Sequence, residues 1–480
     1  MSKQLPRLTT GIPGMDEVLK GGFIEGASYI VQGQPGAGKT IFSNQVAFAA
    51  AAAGRKVLYV TLLAETHDRL FNVLSTLDYF DRDKLGTSIV YVSVFQTLRD
   101  EGLSAVVQLL RRETKRQDAS LLVFDGLLNA RDRADTDLDV KTFLAEVQSQ
   151  AAFVGCTVLF LTSAQLGDGS PEHTMVDGVV ELHDDLIGMR TVRQLQVRKS
   201  RGSGSLGGYH QYEITGQGLT VYPRLEAMLA YTSIEDQPEP GRVGTHVEGL
   251  DAMIGGGLPI GSVTLLFGTS GSGKTLLGLD FLDGSSKDEP GLLFGFYETP
   301  KRLLLKSQAL GVPLDGHVES GSLEMICQPM TENLIDKLGR DLLAAVRRRG
   351  VKRLFIDGLG GFERAASYQP RLVEFFAALT NELRALGVTT IASWELRDLF
   401  GPHVAAPAHE ISSLLDNLIM LRQVELESRY KRVISILKVR DGVFDPALHE
   451  IGFGNHGLKV ALPLEPVTGA ATGLARPLEQ

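Results

Sequence analysis

One glycine-rich segment occurs twice in this sequence, and the repeat constrains the fold more than any other feature. Residues 14–40 read GMDEVLKGGFIEGASYIVQGQPGAGKT, and residues 249–275 read GLDAMIGGGLPIGSVTLLFGTSGSGKT. The segments lie 235 residues apart without a gap, and 10 of their 27 positions are identical. Internal repetition of this kind predicts one domain fold present in two copies.

The pattern of each half predicts an α/β fold. At 480 residues, the chain exceeds what a single hydrophobic core normally serves. Each half alternates apolar strands with helical segments, which indicates a mainly parallel sheet with helices on both faces. We expect domains over residues 1–235 and 236–463 and a short flexible tail over 464–480. The polar segment Ser233–Val243, with two prolines, is the expected linker.

Composition and charge exclude several classes of protein. The formal net charge of −9 disfavours nucleic acid as the main partner, because such proteins usually present a basic face. The N-terminus lacks the apolar core of a signal peptide, and no stretch of about 18 uncharged apolar residues is present. Cys156 and Cys327 each lie in an apolar stretch and are expected to be buried thiols. Together these features predict a cytoplasmic protein without a membrane span.

Both halves contain the pattern G-x-x-x-x-G-K-T, at residues 33–40 and 268–275. Such a loop binds phosphate through inward-pointing backbone N–H groups, and glycine is needed where a side chain would block the anion. The lysine reaches the β- and γ-phosphates, and the threonine hydroxyl binds Mg²⁺. Two matches, each between a strand and a helix, predict two sites for ATP and Mg²⁺. The expected binding residues are Gly33, Gly36, Gly38, Lys39 and Thr40 in the first half and Gly268, Gly271, Gly273, Lys274 and Thr275 in the second.

Two aspartates are candidates for the second metal ligand. Asp125 ends the apolar stretch LLVFD, and Asp357 ends RLFID. They follow the P-loop lysines by 86 and 83 residues, so the halves agree. An acid at the carboxyl end of such a strand faces the Mg²⁺ in P-loop enzymes. The alternative is an aspartate that only caps a turn.

A carboxylate on the strand after the P-loop helix can orient a nucleophile for attack on the γ-phosphate. Glu65 in TLLAETH and Glu298 in FGFYETP occupy matching places, 233 residues apart. We therefore predict that they are catalytic bases. The alternative is that both are surface turn residues.

These motifs resemble the KaiC family, the double-domain relatives of the RecA recombinase and the DnaB helicase. The resemblance extends from the segment 10–16 (TGIPGMD) to Lys438-Val439-Arg440. It implies two tandem RecA-like P-loop domains and a homohexameric double ring, with ATP between adjacent subunits. Family members carry a Glu-Glu pair where this chain has only Glu65 and Glu298, because Ala64 and Tyr297 replace the first member.

The resemblance also assigns cations and phosphorylated residues. A K-x-R motif near the end of each domain reaches the neighbouring subunit's ATP in the family, and Lys199/Arg201 and Lys438/Arg440 match it. The alternative is a set of exposed basic strand residues. The family's adjacent hydroxyl residues, phosphorylated in the second domain only, correspond to Ser412 and Ser413, for which helix N-capping is the alternative. The first half carries His173-Thr174 there and has no serine pair.

One further pair of segments follows the strand after each aspartate, where related ATPases sense the γ-phosphate. They read Ser163-Ala164-Gln165 and Ser393-Trp394-Glu395. Gln165 and Glu395 are candidate sensors, and ordinary turn residues are the alternative.

The sequence thus supports an ATPase with serine autophosphorylation in its second domain, acting as a ring-forming signalling or timing protein. Its expected partners are copies of itself and, by resemblance, clock or signalling proteins, whereas the short tail puts regulation by an activating partner in doubt. Two alternatives stay open. One is a nucleic-acid-dependent ATPase on the same fold, because fold does not fix function. The other is a scaffold that uses ATP mainly as structural support, which the missing glutamates favour.

Overall fold

Two nine-stranded sheets, one in each half of the chain, organise the computed structural model. The structure describes residues 5–62, 67–132, 134, 136–163, 166, 169–230, 240–396, 411–426, 429–440, 442–454, 457–464, 467–468 and 476–477. The chain separates into two units, Met1–Met228 and Leu229–Gln480. Within the described ranges, no helix combines the length and the apolar character that crossing a membrane requires.

The first unit contains eleven strands and eight α-helices among its described residues, with a 3₁₀ helix at Arg82–Lys84. Its strands are β1 (Arg7–Leu8), β2 (Phe23–Ile24), β3 (Ser28–Gly33), β4 (Val57–Thr61), β5 (Ile89–Ser93), β6 (Leu121–Asp125), β7 (Thr157–Thr162), β8 (Gly178–Ile187), β9 (Arg190–Ser200), β10 (His210–Thr215) and β11 (Gly218–Tyr222). Its helices are α1 (Met15–Val18), α2 (Lys39–Ala52), α3 (Asp68–Leu74), α4 (Phe95–Gln117), α5 (Leu127–Arg131), α6 (Asp137–Phe153), α7 (Pro171–Met175) and α8 (Leu225–Met228).

The second unit repeats this order, with a 3₁₀ helix at Gln369–Arg371. Its strands are β12 (Arg242–Val243), β13 (Leu258–Pro259), β14 (Val263–Gly268), β15 (Gly291–Gly295), β16 (Leu323–Cys327), β17 (Arg353–Asp357), β18 (Thr389–Glu395), β19 (Asn417–Leu426), β20 (Arg429–Val439), β21 (His449–Gly454), β22 (Gly457–Pro463), β23 (Val467–Thr468) and β24 (Arg476–Pro477). Its helices are α9 (Leu250–Met253), α10 (Lys274–Asp283), α11 (Pro300–Ala309), α12 (Asp315–Glu319), α13 (Ile335–Arg349), α14 (Gly360–Ala365), α15 (Leu372–Ala385) and α16 (Ile411–Leu414).

The two large sheets have the same topology. The strand order is β11-β10-β9-β8-β3-β7-β6-β4-β5 in the first unit and β22-β21-β20-β19-β14-β18-β17-β15-β16 in the second. From β8 to β5, and from β19 to β16, all neighbours pair in parallel, whereas the last three strands of each sheet pair antiparallel. The prediction of two tandem α/β domains, each with a mainly parallel sheet, is confirmed.

Helices cover both faces of the first sheet. Alternate residues of one strand enter different cores, because successive side chains point to opposite faces. On β6, Val123 packs in the core that contains α2, whereas Leu122 and Phe124 pack in the core that contains α4 and α6. The parallel strands are therefore apolar on both sides, as their continuous hydrophobic sequences indicated.

The two cysteines differ in exposure. Both are free thiols, and Cys156 is buried, whereas Cys327 at the end of β16 is only partly buried. The prediction of two buried thiols is thus wrong for Cys327, because β16 is an edge strand of its sheet. Within the expected tail, Val467–Thr468 pairs antiparallel with Arg476–Pro477.

Candidate functional site

The first P-loop connects β3 to α2 and wraps around its own lysine. Lys39 Nζ donates to the carbonyl oxygens of Gly33 and Gln34, at 2.8 and 2.9 Å. Gly36 and Gly38 have φ values of 92° and 89°, which side-chain-bearing residues rarely adopt. A Cβ added to Gly36 would meet nothing within 4 Å, so the loop is open at that point. This arrangement leaves space for an anion at the N-terminus of α2.

The second P-loop, between β14 and α10, has the same geometry. Lys274 Nζ donates to the carbonyl oxygens of Gly268 and Thr269, at 2.9 and 2.6 Å. Gly271 and Gly273 again have positive φ values, 73° and 106°. Burial lowers the pKa of Lys274, and the carboxylates of Glu395 and Asp357 oppose that shift. Burial likewise lowers the pKa of Lys39.

In the first domain, the candidate metal ligands line one cavity of about 300 Å³. Asp125 ends β6 and lies beside Thr61, the last residue of the neighbouring strand β4. Burial raises the pKa of Asp125 to about 6, and the Lys39 ammonium partly opposes this rise. The polar side chains that line the cavity are Lys39, Thr40, Thr61, Asp125, Thr162 and Ser163.

In the second domain, a hydroxyl and a carboxylate meet directly. Thr275 Oγ1 donates to Asp357 Oδ1 at 3.4 Å, and Ser393 Oγ donates to the same oxygen at 2.9 Å. Ser393 Oγ also accepts from the backbone N–H of Gly358 at 2.8 Å. Burial raises the pKa of Asp357, and the two hydroxyl donors lower it.

These oxygens fit Mg²⁺. The ion prefers carboxylate and hydroxyl oxygen, and in phosphate-binding sites it usually takes one or two protein ligands and completes its shell with phosphate and water. Thr275 and Asp357 converge in this way, and Thr40 and Asp125 line a common cavity. Among the residues the structure describes, no cluster of three or more His, Cys, Asp or Glu side chains is arranged around a metal position.

Of the two candidate bases, only Glu298 lies among the residues that the structure describes. Glu65 lies in the segment 63–66, outside the described residues. Glu298 lies between β15 and α11 and accepts a hydrogen bond from Lys306 Nζ at 2.7 Å.

Tyr297, the residue before Glu298, packs against the loop that follows β17. A Cβ on Gly358 would lie 2.2 Å from Tyr297 Cε2, so this glycine is required for the contact.

The K-x-R motifs contact short helices of their own domains. Lys199 Nζ donates to the carbonyl oxygen of His173 in α7 at 2.6 Å, and Arg201 Nη2 donates to that of Thr174 at 3.1 Å. Lys199 and Arg201 thus interact with the carbonyl end of a helix, where a cation is favoured. Whether they also reach a neighbouring subunit stays a prediction.

In the second domain, the same contacts hold the serine segment. Lys438 Nζ donates to the carbonyl oxygens of Ser412 and Leu415, at 3.1 and 2.6 Å. Arg440 Nη2 donates to the carbonyl oxygen of Ser413 at 3.4 Å. Both serines are exposed and lie inside α16 rather than immediately before it.

The sheet register corrects one alignment of the two halves. Gln32 pairs with Thr162, and its counterpart Phe267 pairs with Trp394, so Ser393 corresponds to Leu161 rather than to Ser163. Ser393 through Glu395 form the end of β18, so the prediction that they follow the strand is wrong. The strand extends to Glu395 because each of these residues pairs with β14. Gln165 lies outside the described residues.

The roles of two residues near the candidate metal ligand Asp357 and the candidate base Glu298 could not be predicted from the sequence. The sequence pattern marks Ser393 only as part of a candidate sensor segment, whereas its hydrogen bond to Asp357 depends on the register of β18 against β14 in the folded sheet. Lys306 carried no signal except its spacing, eight residues after Glu298 on an amphipathic helix.

Comparison with known proteins gives one consistent answer. The model of the KaiC ATPase family matches residues 8–226 and 243–465. The chain is 24% identical to the circadian clock protein KaiC3 of Synechocystis sp., over 98% of this chain and 94% of that protein. It is 24% identical to the circadian clock oscillator protein KaiC of Acaryochloris marina, over 98% and 91%. It is 25% identical to the protein of that name from Synechococcus elongatus, over 94% and 88%.

Proposed function

Because this chain belongs to the KaiC family of ATPases, we propose that it binds and hydrolyses ATP at two sites, one in each domain, and phosphorylates its own serines in the second. One observation carries the proposal. At the carboxyl edge of each parallel sheet, a P-loop lysine, a threonine hydroxyl and a strand-ending aspartate lie together. We assign the two domains to residues 1–235 and 236–463 and the tail to 464–480.

Each P-loop binds the triphosphate in this proposal. Backbone N–H groups of the glycine-rich loop would face the phosphates, as the open surroundings of Gly36 allow in the first domain. Lys39 and Lys274 would transfer their hydrogen bonds from loop carbonyls to phosphate oxygens. Thr40 with Asp125, and Thr275 with Asp357, would hold Mg²⁺. When bound, this ion neutralises charge on the β- and γ-phosphate oxygens.

Glu298 then serves as the base of the second domain. It accepts the hydroxyl proton of Ser412 or Ser413 while the serine Oγ forms a bond to the γ-phosphorus. The bond from that phosphorus to the β–γ bridging oxygen breaks, and ADP leaves with the electron pair. With water as the nucleophile, the same step yields phosphate. In the first domain, Glu65 has the corresponding role toward water.

The acceptor serines and the basic motif form one unit in the second domain. Lys438 and Arg440 donate hydrogen bonds to the backbone carbonyl oxygens of Ser412 and Ser413 in α16, so the cations lie next to the serine segment. In a homohexameric ring, the serines with Lys438 and Arg440 would reach the ATP of the neighbouring subunit. Lys199 and Arg201 would do the same in the first domain. Cations supplied in trans neutralise the charge that develops on the γ-phosphoryl oxygens. Hydrolysis then depends on ring assembly, as suits a timing or signalling protein.

Mass spectrometry after incubation with Mg·ATP tests the proposal. We expect phosphate on Ser412 or Ser413, its loss in Ser412→Ala/Ser413→Ala, and its loss in Lys274→Ala. Lys39→Ala is the matched control for the donor site, because it changes the other P-loop. Wild-type protein that consumes ATP and acquires no phosphate would reduce the proposal to an ATPase. Protein that binds ATP without consuming it would leave the scaffold alternative, which the missing first glutamates favour.

A further inference from the structure

The candidate base of the second domain forms an ion pair with a lysine of α11. Lys306 Nζ lies 2.7 Å from Glu298 Oε1, and the two side chains are 41% and 32% exposed. Both groups also act electrostatically on the Asp357 carboxyl, Glu298 raising and Lys306 lowering its pKa. The pair is therefore close to the metal-binding end of β17, and Lys306 belongs to the surroundings of the reacting groups.

The helix α11 fixes where Lys306 stands. The helix starts at Pro300, directly after Thr299, and buries Leu303 and Ser307 against the domain core. Lys306 precedes the buried Ser307 and is itself partly exposed, so its ammonium reaches back along the helix to Glu298. Because Ser307 is completely buried, the helix cannot rotate to move Lys306 away from the site without exposing its packed face.

The first domain has no lysine at the matching place. Eight residues after Glu65, as Lys306 is eight residues after Glu298, the sequence has Val73. Val73 is 57% exposed on α3, so a lysine would be sterically tolerated there. At this helix position, therefore, the second domain carries a charge and the first does not.

We propose that Lys306 is a positioning residue that restrains Glu298 and keeps phosphoryl transfer in the second domain slow. This inference rests on the proposed role of Glu298 as the base. The hydrogen bond occupies one carboxylate oxygen and offsets the charge with which Glu298 would attract a proton. It also directs the carboxylate toward α11. When the free carboxylate oxygen accepts a proton, Glu298 loses its charge and the ion pair with Lys306 is lost, so the pair adds to the barrier of the chemical step.

Substitution of Lys306 in the full chain tests this inference. Turnover that depends on Glu298 is measured as the difference between each chain and its Glu298→Gln version, which isolates the second site while the first stays intact. We expect Lys306→Met to raise the kcat of this turnover about two- to fivefold, the range that partly exposed ion pairs support, with KM unchanged. Phosphorylation of Ser412 and Ser413 should accelerate by the same factor.

Three controls separate restraint from a structural effect. Lys306→Arg keeps the cation and should behave like wild type, and so should Lys301→Met, which removes an exposed lysine from the same helix. Added salt should reduce the advantage of Lys306→Met over wild type, because salt screens the ion pair.

Two other results would contradict either the role of Lys306 or the role of Glu298. Lys306→Met turnover at or below the wild-type rate overturns the restraint, and a loss of turnover in Glu298→Gln then leaves the proposed function standing. If Glu298→Gln itself turns over ATP and labels serine at the wild-type rate, Glu298 is not the base, and both assignments fall.

Discussion

The P-loop lysines of the two domains donate to equivalent loop carbonyls, but different side chains pack behind the helix that follows each loop. In the first domain, polar side chains lie behind α2. Tyr59 Oη lies 2.8 Å from Ser43 Oγ, and Asn44 Nδ2 donates to Tyr59 Oη at 3.1 Å. Tyr91 Oη in turn donates to Asn44 Oδ1 at 2.6 Å. This network connects α2 to strands β4 and β5.

In the second domain, the equivalent positions are apolar. Gly278 and Leu279 stand in α10 where the first domain has its serine and asparagine, and Leu293 and Met325 replace the two tyrosines. Phe355 occupies the space beside Gly278, since an added Cβ there would lie 2.2 Å from Phe355 Cζ. The duplicated motif therefore constrains the residues of the P-loop itself, whereas the layer behind it needs only to be filled and, if polar, hydrogen-bonded.

The largest expected effect separates the two sites by their lysines. Lys274→Ala should lower phosphorylation of the second domain by about a hundredfold or more, since it removes the charged donor that the proposed mechanism places on the transferred phosphoryl group. Lys39→Ala should instead remove the ATP turnover of the first domain. Rates of serine labelling and of total ATP use, measured side by side, check the division. Equal losses of both rates in both variants would mean that the sites do not act separately.

The second domain has a buried aspartate, Asp280, where the first domain has the neutral Gln45, and this pair gives the next prediction. Asp280 in α10 accepts from the backbone N–H of Leu458 at 2.9 Å, and burial raises its pKa to about 7. The folded state therefore keeps a proton that the unfolded chain loses near pH 4. Stability should fall as pH rises from about 4 to 7, by on the order of 3 kcal/mol, and Asp280→Asn should flatten this slope.

The fluorescence of Trp394 can follow this unfolding, because it is the sole tryptophan and lies in the second domain. The first domain provides the neutral counterpart, as Gln45 Oε1 accepts from the N–H of Leu219 at 2.8 Å. An unchanged pH slope in Asp280→Asn would show that Asp280 does not carry it.

Ser393 gives a smaller effect on stability and metal use. Ser393→Ala leaves the Gly358 N–H without its hydroxyl partner and frees Asp357 from a donor. We expect a loss of about 1 to 3 kcal/mol in the second domain, from Trp394 fluorescence during denaturation. The Mg²⁺ concentration for half-maximal turnover should also rise. A variant with unchanged stability and Mg²⁺ dependence would rule out this support of Asp357.

The smallest effect tests the polar interior of the first domain. Tyr59→Phe removes the hydroxyl that Ser43 and Asn44 contact, and should cost about 1 kcal/mol of local stability. Amide hydrogen exchange on α2 measures this loss, and α10, whose neighbour at that position is Leu293, serves as the internal reference. Equal protection of α2 in both chains would mean that the hydroxyl adds nothing to the packing of its ring.

The fold and the conformation of the two glycine-rich loops were predictable from the sequence because both depend on residue types with few substitutes. Only glycine readily adopts the positive φ of Gly38 and Gly273, and only continuous apolar strands fit a sheet covered on both faces. The aspartates were predictable for a related reason, since the ends of parallel strands meet at one edge.

The contacts that tune the site were not predictable in this way. Ser393 holds Asp357 only because β18 extends to Glu395, which the strand register decides. Lys306 resembles any partly exposed lysine of an amphipathic helix until α11 is placed beside Glu298. The in-domain contacts of Lys438 depend likewise on where β20 brings it against α16.

Equilibrium binding of a non-hydrolysable ATP analogue with Mg²⁺ tests most directly whether the chain carries two nucleotide sites. We predict two molecules bound per chain in the wild type and one in each of Lys39→Ala and Lys274→Ala. Fewer than two in the wild type, or two retained in either variant, would contradict the assignment of one ATP site to each domain.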